Sequence, residues 1–419
     1  MKFDHEYFDA GLYRLGTRCE KWDEARKENG DVLPLWVADM DFPSPPAVQE
    51  AILRRAGHPT FGYTGVEKDD YQAVVDFWQR RHALTLDADW LTLMPCVVTG
   101  IKCAILALTQ PGDGVIIQSP VYGPFRFSVA ATGRKLLDAP LTRDDNGRYD
   151  MDLAAVEAQL KAGARLMVLC SPHNPVSRAW TKDELTALIE LLDKYDVPLV
   201  SDEIHADFVY APGKFVPALA VSRKNVLSFC AASKTFNLAG LQQATCICPD
   251  ETIREAFRAQ MAKAGVTSGN IFALEGTRAA YNEGDAWLDG LMDYLDGNRK
   301  HLAALVAEHL PKAVLTPMEA TYLGWLDLRA YGFNEEQLHE RTIAAGVQFT
   351  GGKFFGDDGD GFLRINIGCP RRCLTEGILR LKKALRSELA PTSDSDCSQS
   401  PSEACRDCAA AGQAGTLEA

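Results

Sequence analysis

Between Pro95 and Cys248 the chain alternates short, continuously apolar runs with stretches of helical spacing, and few folds accommodate that pattern. The runs are 96–99 (CVVT), 114–118 (GVIIQ), 165–170 (RLMVLC), 197–201 (VPLVS), 226–230 (VLSFC) and 244–248 (ATCIC). A strand that is apolar on both of its alternating sets of side chains must be covered on both faces. The segments 100–109, 152–161 and 181–194 carry apolar residues at three- and four-residue spacing, and Thr181 with Glu184 has the form of a capping box. Strands and helices in alternation predict an α/β domain with a mostly parallel sheet between helices. After Asp250 the pattern changes to long helices at 250–263, 268–283 and 286–309. Strands at 324–328 and 362–367, with helices near 334–345 and 374–387, predict a smaller α+β domain. The expected organisation is an N-terminal segment 1–46 packing with the small domain, a large domain 47–287, a small domain 288–389 and a tail 390–419.

The tail is rich in Ser, Ala, Gly, Asp and Cys, holds almost no large apolar residue, and is expected to be disordered. Its closing GTLEA has the look of a cloning remnant. Cys405 and Cys408, with Cys397 nearby, form at most half of a zinc site, because no second ligand pair is adjacent. Nine of the 12 cysteines are scattered singly through the rest of the chain, which reads as reduced thiols rather than a disulfide framework. Lys+Arg 44 against Asp+Glu 57 leaves a net charge of −13, which disfavours a nucleic-acid partner. No apolar run approaches the roughly 20 residues of a membrane span, and charges interrupt every apolar stretch of the first sixteen residues, so a cytoplasmic protein is expected.

Residues that carry chemistry recur just after the apolar runs. Lys234, in Ala232-Ser233-Lys234-Thr235-Phe236-Asn237-Leu238-Ala239-Gly240, follows one run directly. Burial there would lower its pKa, as a Schiff-base lysine requires, although a lysine at a strand end can also simply extend its amine to water. Asp202, in Ser201-Asp202-Glu203-Ile204-His205-Ala206-Asp207, ends another run where parallel sheets bind ligands, and would keep a heteroaromatic nitrogen protonated. Joint metal ligation by Asp202, His205 and Asp207 is the competing reading, which the spacing suits poorly. Asn174, in Ser171-Pro172-His173-Asn174-Pro175, would aim its amide at a ligand oxygen, or serve only a turn. Thr99-Gly100-Ile101-Lys102 would open a helix whose free N–H groups cradle a phosphate. Tyr122 would stack on a flat ring, or be a core tyrosine. A phosphate cradle, a stacking aromatic, an amide, a carboxylate and a lysine at successive strand ends together describe pyridoxal 5′-phosphate (PLP).

These residues resemble the fold-type I, aspartate-aminotransferase-like superfamily of PLP enzymes, across about 1–388. More narrowly, DEIHAD (202–207), SKTFNLAGL (233–241), PHNP (172–175) and LPLWVADMDFPSP (33–45) are similar to the MalY/PatB branch of cystathionine β-lyase-type C–S lyases. The resemblance implies that Lys234 is the Schiff-base lysine and catalytic base, that Asp202 pairs with the pyridine nitrogen and Asn174 with the ring hydroxyl, and that Tyr122 stacks on the ring. Gly100, Ile101, Lys102 and Ser233 would hold the phosphate, His205 would face the cofactor, and Arg364 of FLRINIG would take the substrate α-carboxylate. Tyr63 of FGYTG would reach the phosphate from the partner subunit of a homodimer with shared sites. The implied reaction is α,β-elimination on L-cystathionine or a related cysteine thioether, giving thiol, pyruvate and ammonia. Many aminotransferases carry Arg where this chain has Gln242, Tyr where it has His205, and Ser or Thr where it has Ala231. Ser177 stands where the superfamily often has Gly, read here as a loop variation. An aminotransferase is the nearest alternative, and a regulatory protein-binding role, alone or beside lyase activity, comes from a different class.

Overall fold

The alternating segment builds one seven-stranded sheet. In the computed structural model, which describes residues 2–266 and 269–386, its strands are β1 (Leu91–Met94), β2 (Gly114–Ile117), β3 (Lys135–Asp138), β4 (Ala164–Cys170), β5 (Leu199–Asp202), β6 (Val226–Cys230) and β7 (Ala244–Ile247). Their spatial order is β1-β7-β6-β5-β4-β2-β3. The five from β3 through β2, β4 and β5 to β6 pair in parallel, while β7 runs antiparallel to both β6 and β1. Val115, Ile117, Val168, Cys170, Val200, Leu227 and Phe229 line one face and pack with Ile101, Ile105 and Phe257 from covering helices. From β2 the chain crosses to β3 on one side, whereas from β4 it proceeds to β5 and β6 on the other. The carboxyl ends of β2 and β4 therefore flank a topological switch point, where sheets of this kind open a crevice.

One expectation needs correction. Residues 96–99 are not a strand: Pro95 ends β1, Cys96 is extended, and Val97 starts the helix Val97–Leu108. Val97 and Val98 are β-branched, but Ile101, Ala104 and Ile105 on the same helix are buried, and that packing overrides local propensity. The strand of this region is instead Leu91–Met94, a short edge strand with two half-exposed residues.

The described residues divide into two compact units. The first comprises 44–288 with 317–321 and holds the seven-stranded sheet; the second comprises residues up to 43, 289–316 and those from 322 on. The boundary at 288/289 falls within helix Asp285–His309. The second unit contains a four-stranded antiparallel sheet of β8 (Val314–Leu315), β9 (Leu323–Asp327), β10 (Thr350–Gly351) and β11 (Phe362–Asn366), in the order β8-β9-β11-β10. Leu33–Pro34 adds a parallel pair with Val347–Gln348. Among the described residues, no helix is long and apolar enough to cross a membrane. The tail 390–419, with Cys397, Cys405 and Cys408, lies outside the described residues.

Candidate active site

Parallel pairing of β4 with β5 sets Cys170 opposite Asp202, and the Ser171 N–H donates to the Asp202 carbonyl at 2.9 Å. Asp202 and Glu203 are adjacent and both buried, yet they are solvated differently. Glu203 accepts from the Ser228 hydroxyl (2.6 Å), the Ala218 N–H (2.8 Å) and the Ser201 hydroxyl (2.9 Å). The Asp202 carboxylate accepts one such bond, from the Ile204 N–H at 3.1 Å. Burial pushes Asp202 up to about 7, against the opposing pull of that N–H and of the Lys234 charge. Burial pushes Glu203 up to about 7 as well, its hydrogen bonds opposing. Glu203 is thus tied into the sheet, and Asp202 has the capacity to serve a cationic ligand group.

The loops that leave β2 and β4 at the switch point are sewn together. The Tyr122 N–H donates to the Asn174 carbonyl at 3.1 Å, and the Asn174 N–H to Cys170 Sγ at 3.3 Å. His173 is fully buried, which holds its ring at about 4 and therefore neutral, so Nε2–H donates to the Pro120 carbonyl at 2.9 Å. Asn174 is buried; Tyr122 is half-buried and packs edge-on against Phe125 at 6.1 Å. Ser177 is more than a loop variation. Its φ of 59° lies in the left-handed region that favours glycine, and its buried hydroxyl bonds the Ala320 carbonyl and lies 3.3 Å from Thr321 Oγ1.

The helix that follows β1 begins beside this edge. The Gly100 N–H is already bonded to the Cys96 carbonyl at 3.1 Å, so the free amides of the first turn belong to Val97, Val98 and Thr99. Gly100 matters sterically: a Cβ there would lie 2.3 Å from Met94 Sδ and 3.3 Å from the Phe229 ring. Ile101 is buried and Lys102 exposed. After β6, Ala231 caps the four-residue helix Ala232–Thr235, which carries the half-buried Ser233 and Lys234. Gln242 is exposed with φ 56°. His205 is buried, its ring 6.2 Å from that of Phe208. Tyr63 is fully exposed, in a loop whose Phe61 lies 5.7 Å from the Phe272 ring.

Arg364 belongs to the second unit. It is buried on β11, donates from Nη2 to the Trp36 carbonyl (2.9 Å) and Thr350 Oγ1 (3.2 Å), and lies 4.9 Å from the Phe355 ring. Asp207 does not join Asp202 and His205 at a metal. Its Oδ2 accepts from the Thr235 hydroxyl at 2.6 Å, and among the described residues no group of three His, Cys, Asp or Glu is placed to hold a metal ion. Sequence reasoning missed Asp207 and Thr235 as partners, although DEIHAD and SKT both contain them.

Within the first unit the arrangement suits a flat, phosphorylated heteroaromatic aldehyde. Lys234 offers an amine, Asp202 a buried carboxylate with spare acceptor capacity, and the helix at Val97 free N–H groups with a positive dipole end.

Residues 30–381 match the family described as aminotransferase class I and II. The chain is 40% identical to cystathionine β-lyase PatB of Bacillus subtilis over 90% of this chain and 99% of that protein. It is 32% identical to protein MalY of Escherichia coli over 91% and 99% respectively. The PLP-bound C–S lyase from Staphylococcus hominis superposes with a TM-score of 0.85 at 29% identity, covering 90% of this chain and 97% of that one. The central sheet and its covering helices are those of the fold-type I architecture, and the chain belongs to the aminotransferase class I and II family and, within it, to the branch of PatB and MalY.

Proposed function

We propose that this protein is a PLP-dependent carbon–sulfur β-lyase that converts L-cystathionine, or a related cysteine thioether, to a thiol, pyruvate and ammonia. The observation that carries the reading is Lys234 after β6, electrostatically coupled to a buried Asp202 whose carboxylate has one hydrogen-bond donor, in a chain 40% identical to a cystathionine β-lyase. When bound, PLP supplies an electron sink for the carbanion formed at the substrate Cα.

Lys234 would hold the cofactor through Nζ. With substrate bound, the Lys234 Nζ would take the Cα proton as the thiolate leaves from Cβ, and hydrolysis of the released aminoacrylate by water would give pyruvate and ammonia. Asp202, ionised, would hold the ring nitrogen in its protonated form, which a neutral partner would not do. Asn174 would bond the ring hydroxyl and Tyr122 lie against the ring. The free amides of Val97, Val98 and Thr99, with Ser233, would hold the phosphate, while Gly100 and the buried Ile101 seat that helix against the sheet rather than bind the ligand. Arg364 would clamp the substrate carboxylate with its planar fork. An aminotransferase shares the steps through Cα deprotonation; Gln242 and His205, which agree with the lyase branch, favour elimination.

The same reading makes the enzyme a homodimer in which Tyr63 reaches the partner's phosphate site, and the full exposure of Tyr63 supports it. It also places the protein in the cytoplasm, in keeping with thiols rather than disulfides at Cys103, Cys170, Cys230 and Cys246. Lys234→Ala tests the central role: the visible absorption of the Lys234-linked cofactor should vanish and elimination should fall by several orders of magnitude. Retention of elimination would overturn it.

A further inference from the structure

We propose that Thr235, Asp207 and His82 form a buried relay that positions Lys234 for proton transfer, an inference that rests on the lyase reading above. Lys234 lies in a helix of only four residues, Ala232–Thr235, too short to be held by its own hydrogen bonds. What fixes it must come from its neighbours in sequence. Thr235 is buried, and its Oγ1 donates to Asp207 Oδ2 at 2.6 Å. The other oxygen, Oδ1, lies 3.0 Å from His82 Nε2, a close polar contact without the geometry of a directed hydrogen bond, with both side chains 7% exposed.

His82 is itself immobilised. It ends helix Lys68–His82 and is enclosed by the rings of Trp78 (4.8 Å), Phe215 (5.2 Å) and Phe77 (6.1 Å). On the other flank of Thr235, Phe236 is fully buried against Phe77, Tyr281 and Trp287 at 5.9–6.1 Å, and Gly284 leaves it room: a Cβ there would lie 2.5 Å from the ring. Three elements, the helix ending at His82, the loop after β5 and the turn after β6, thus meet at one carboxylate, which grips the residue that follows the lysine. Since Nζ must serve the cofactor and then the substrate Cα, a small displacement of this turn acts directly on the proton transfer.

The test uses the holoenzyme. Wild type must first show the visible band of the Lys234-linked cofactor and eliminate thiol from L-cystathionine; failure there sinks the lyase reading and not the relay. Given both, Thr235→Val, which removes the donor at nearly constant volume, should lower kcat about 10- to 100-fold with KM within about threefold. The visible band of the unliganded holoenzyme should shift with the cofactor still bound, and the isotope effect of Cα-deuterated substrate on kcat should rise, because proton removal becomes slower. Thr235→Ser should restore kcat to within about threefold, as expected of a retained hydroxyl donor. Asp207→Asn keeps the volume and an acceptor while replacing the carboxyl oxygen that faces His82 by an amide nitrogen, so it should cost about three- to tenfold in kcat with the same isotope signature. Should Thr235→Val fail to fold, Asp207→Asn decides. Wild-type kcat, band and isotope effect in the folded variants would overturn the relay, as would a drop in kcat that only mirrors lost folded protein and that Ser does not restore.

Discussion

Asp202 and Glu203 are neighbours with the same burial and different tasks, and their titration should be visible in stability. Both carboxyls ionise near 7 in the cofactor-free fold but at about 4 in an unfolded chain. Between those values the folded protein holds more protons than the unfolded chain, so stability falls as pH rises through the window. Thermal unfolding of the cofactor-free protein should therefore show a lower midpoint at about pH 7 than at about pH 5. Asp202→Asn should narrow the gap, leaving the remainder to Glu203; an unchanged gap would contradict the assignment. At this scale the residues legible in the sequence were those that end apolar runs, Lys234 and Asp202 above all, because an ionisable group next to a buried strand is anomalous. Asp207, Thr235 and His82 carry no such signal. Their meaning depends on three segments far apart in sequence meeting at 2.6–3.0 Å.

Among elements, the capping box read from Thr181 and Glu184 is present in both directions, with Glu184 N–H to Thr181 Oγ1 at 3.2 Å and Thr181 N–H to Glu184 Oε2 at 2.7 Å. Thr181→Ala should destabilise the protein by about 1 kcal/mol, measured by denaturant unfolding. Ser177→Ala keeps the positive φ and strands the buried Ala320 carbonyl, so the same measurement should show a larger loss of about 1–3 kcal/mol. Equal stability of Ser177→Ala and wild type would mean that this hydroxyl bond contributes nothing. Central strands were legible because burial on both faces leaves an unbroken apolar run. The edge strands were not: Leu91–Met94 and Lys135–Asp138 are four residues each and partly exposed, and they resemble loop or helix flanks. The β-branched pair Val97–Val98 misled for the opposite reason, since its helix owes its place to buried neighbours rather than to propensity.

Across the whole molecule, alternation in the sequence conveyed a parallel sheet, but the antiparallel sense of β7 could not be read, because a buried strand is apolar in either direction. The second unit is assembled from pieces at both ends of the chain, as the pairing of Leu33–Pro34 with Val347–Gln348 shows, and periodicity carries no information about such pairings. The proposed homodimer makes its own prediction. Lys234→Ala and Tyr63→Ala should each be poorly active, yet mixing and re-equilibrating their subunits should recover up to about a quarter of wild-type sites, because a hybrid dimer holds one site with both residues intact. No recovery from verified hybrids would place Tyr63 in its own subunit's site. The most direct measurement of the whole mechanism is the release of thiol and pyruvate from L-cystathionine by purified protein, with and without added PLP, alongside its visible spectrum. A yellow protein giving thiol and pyruvate in equal amounts is the predicted result. A colourless protein, or a yellow one that transfers the amino group to a 2-oxo acid without forming pyruvate, would contradict it.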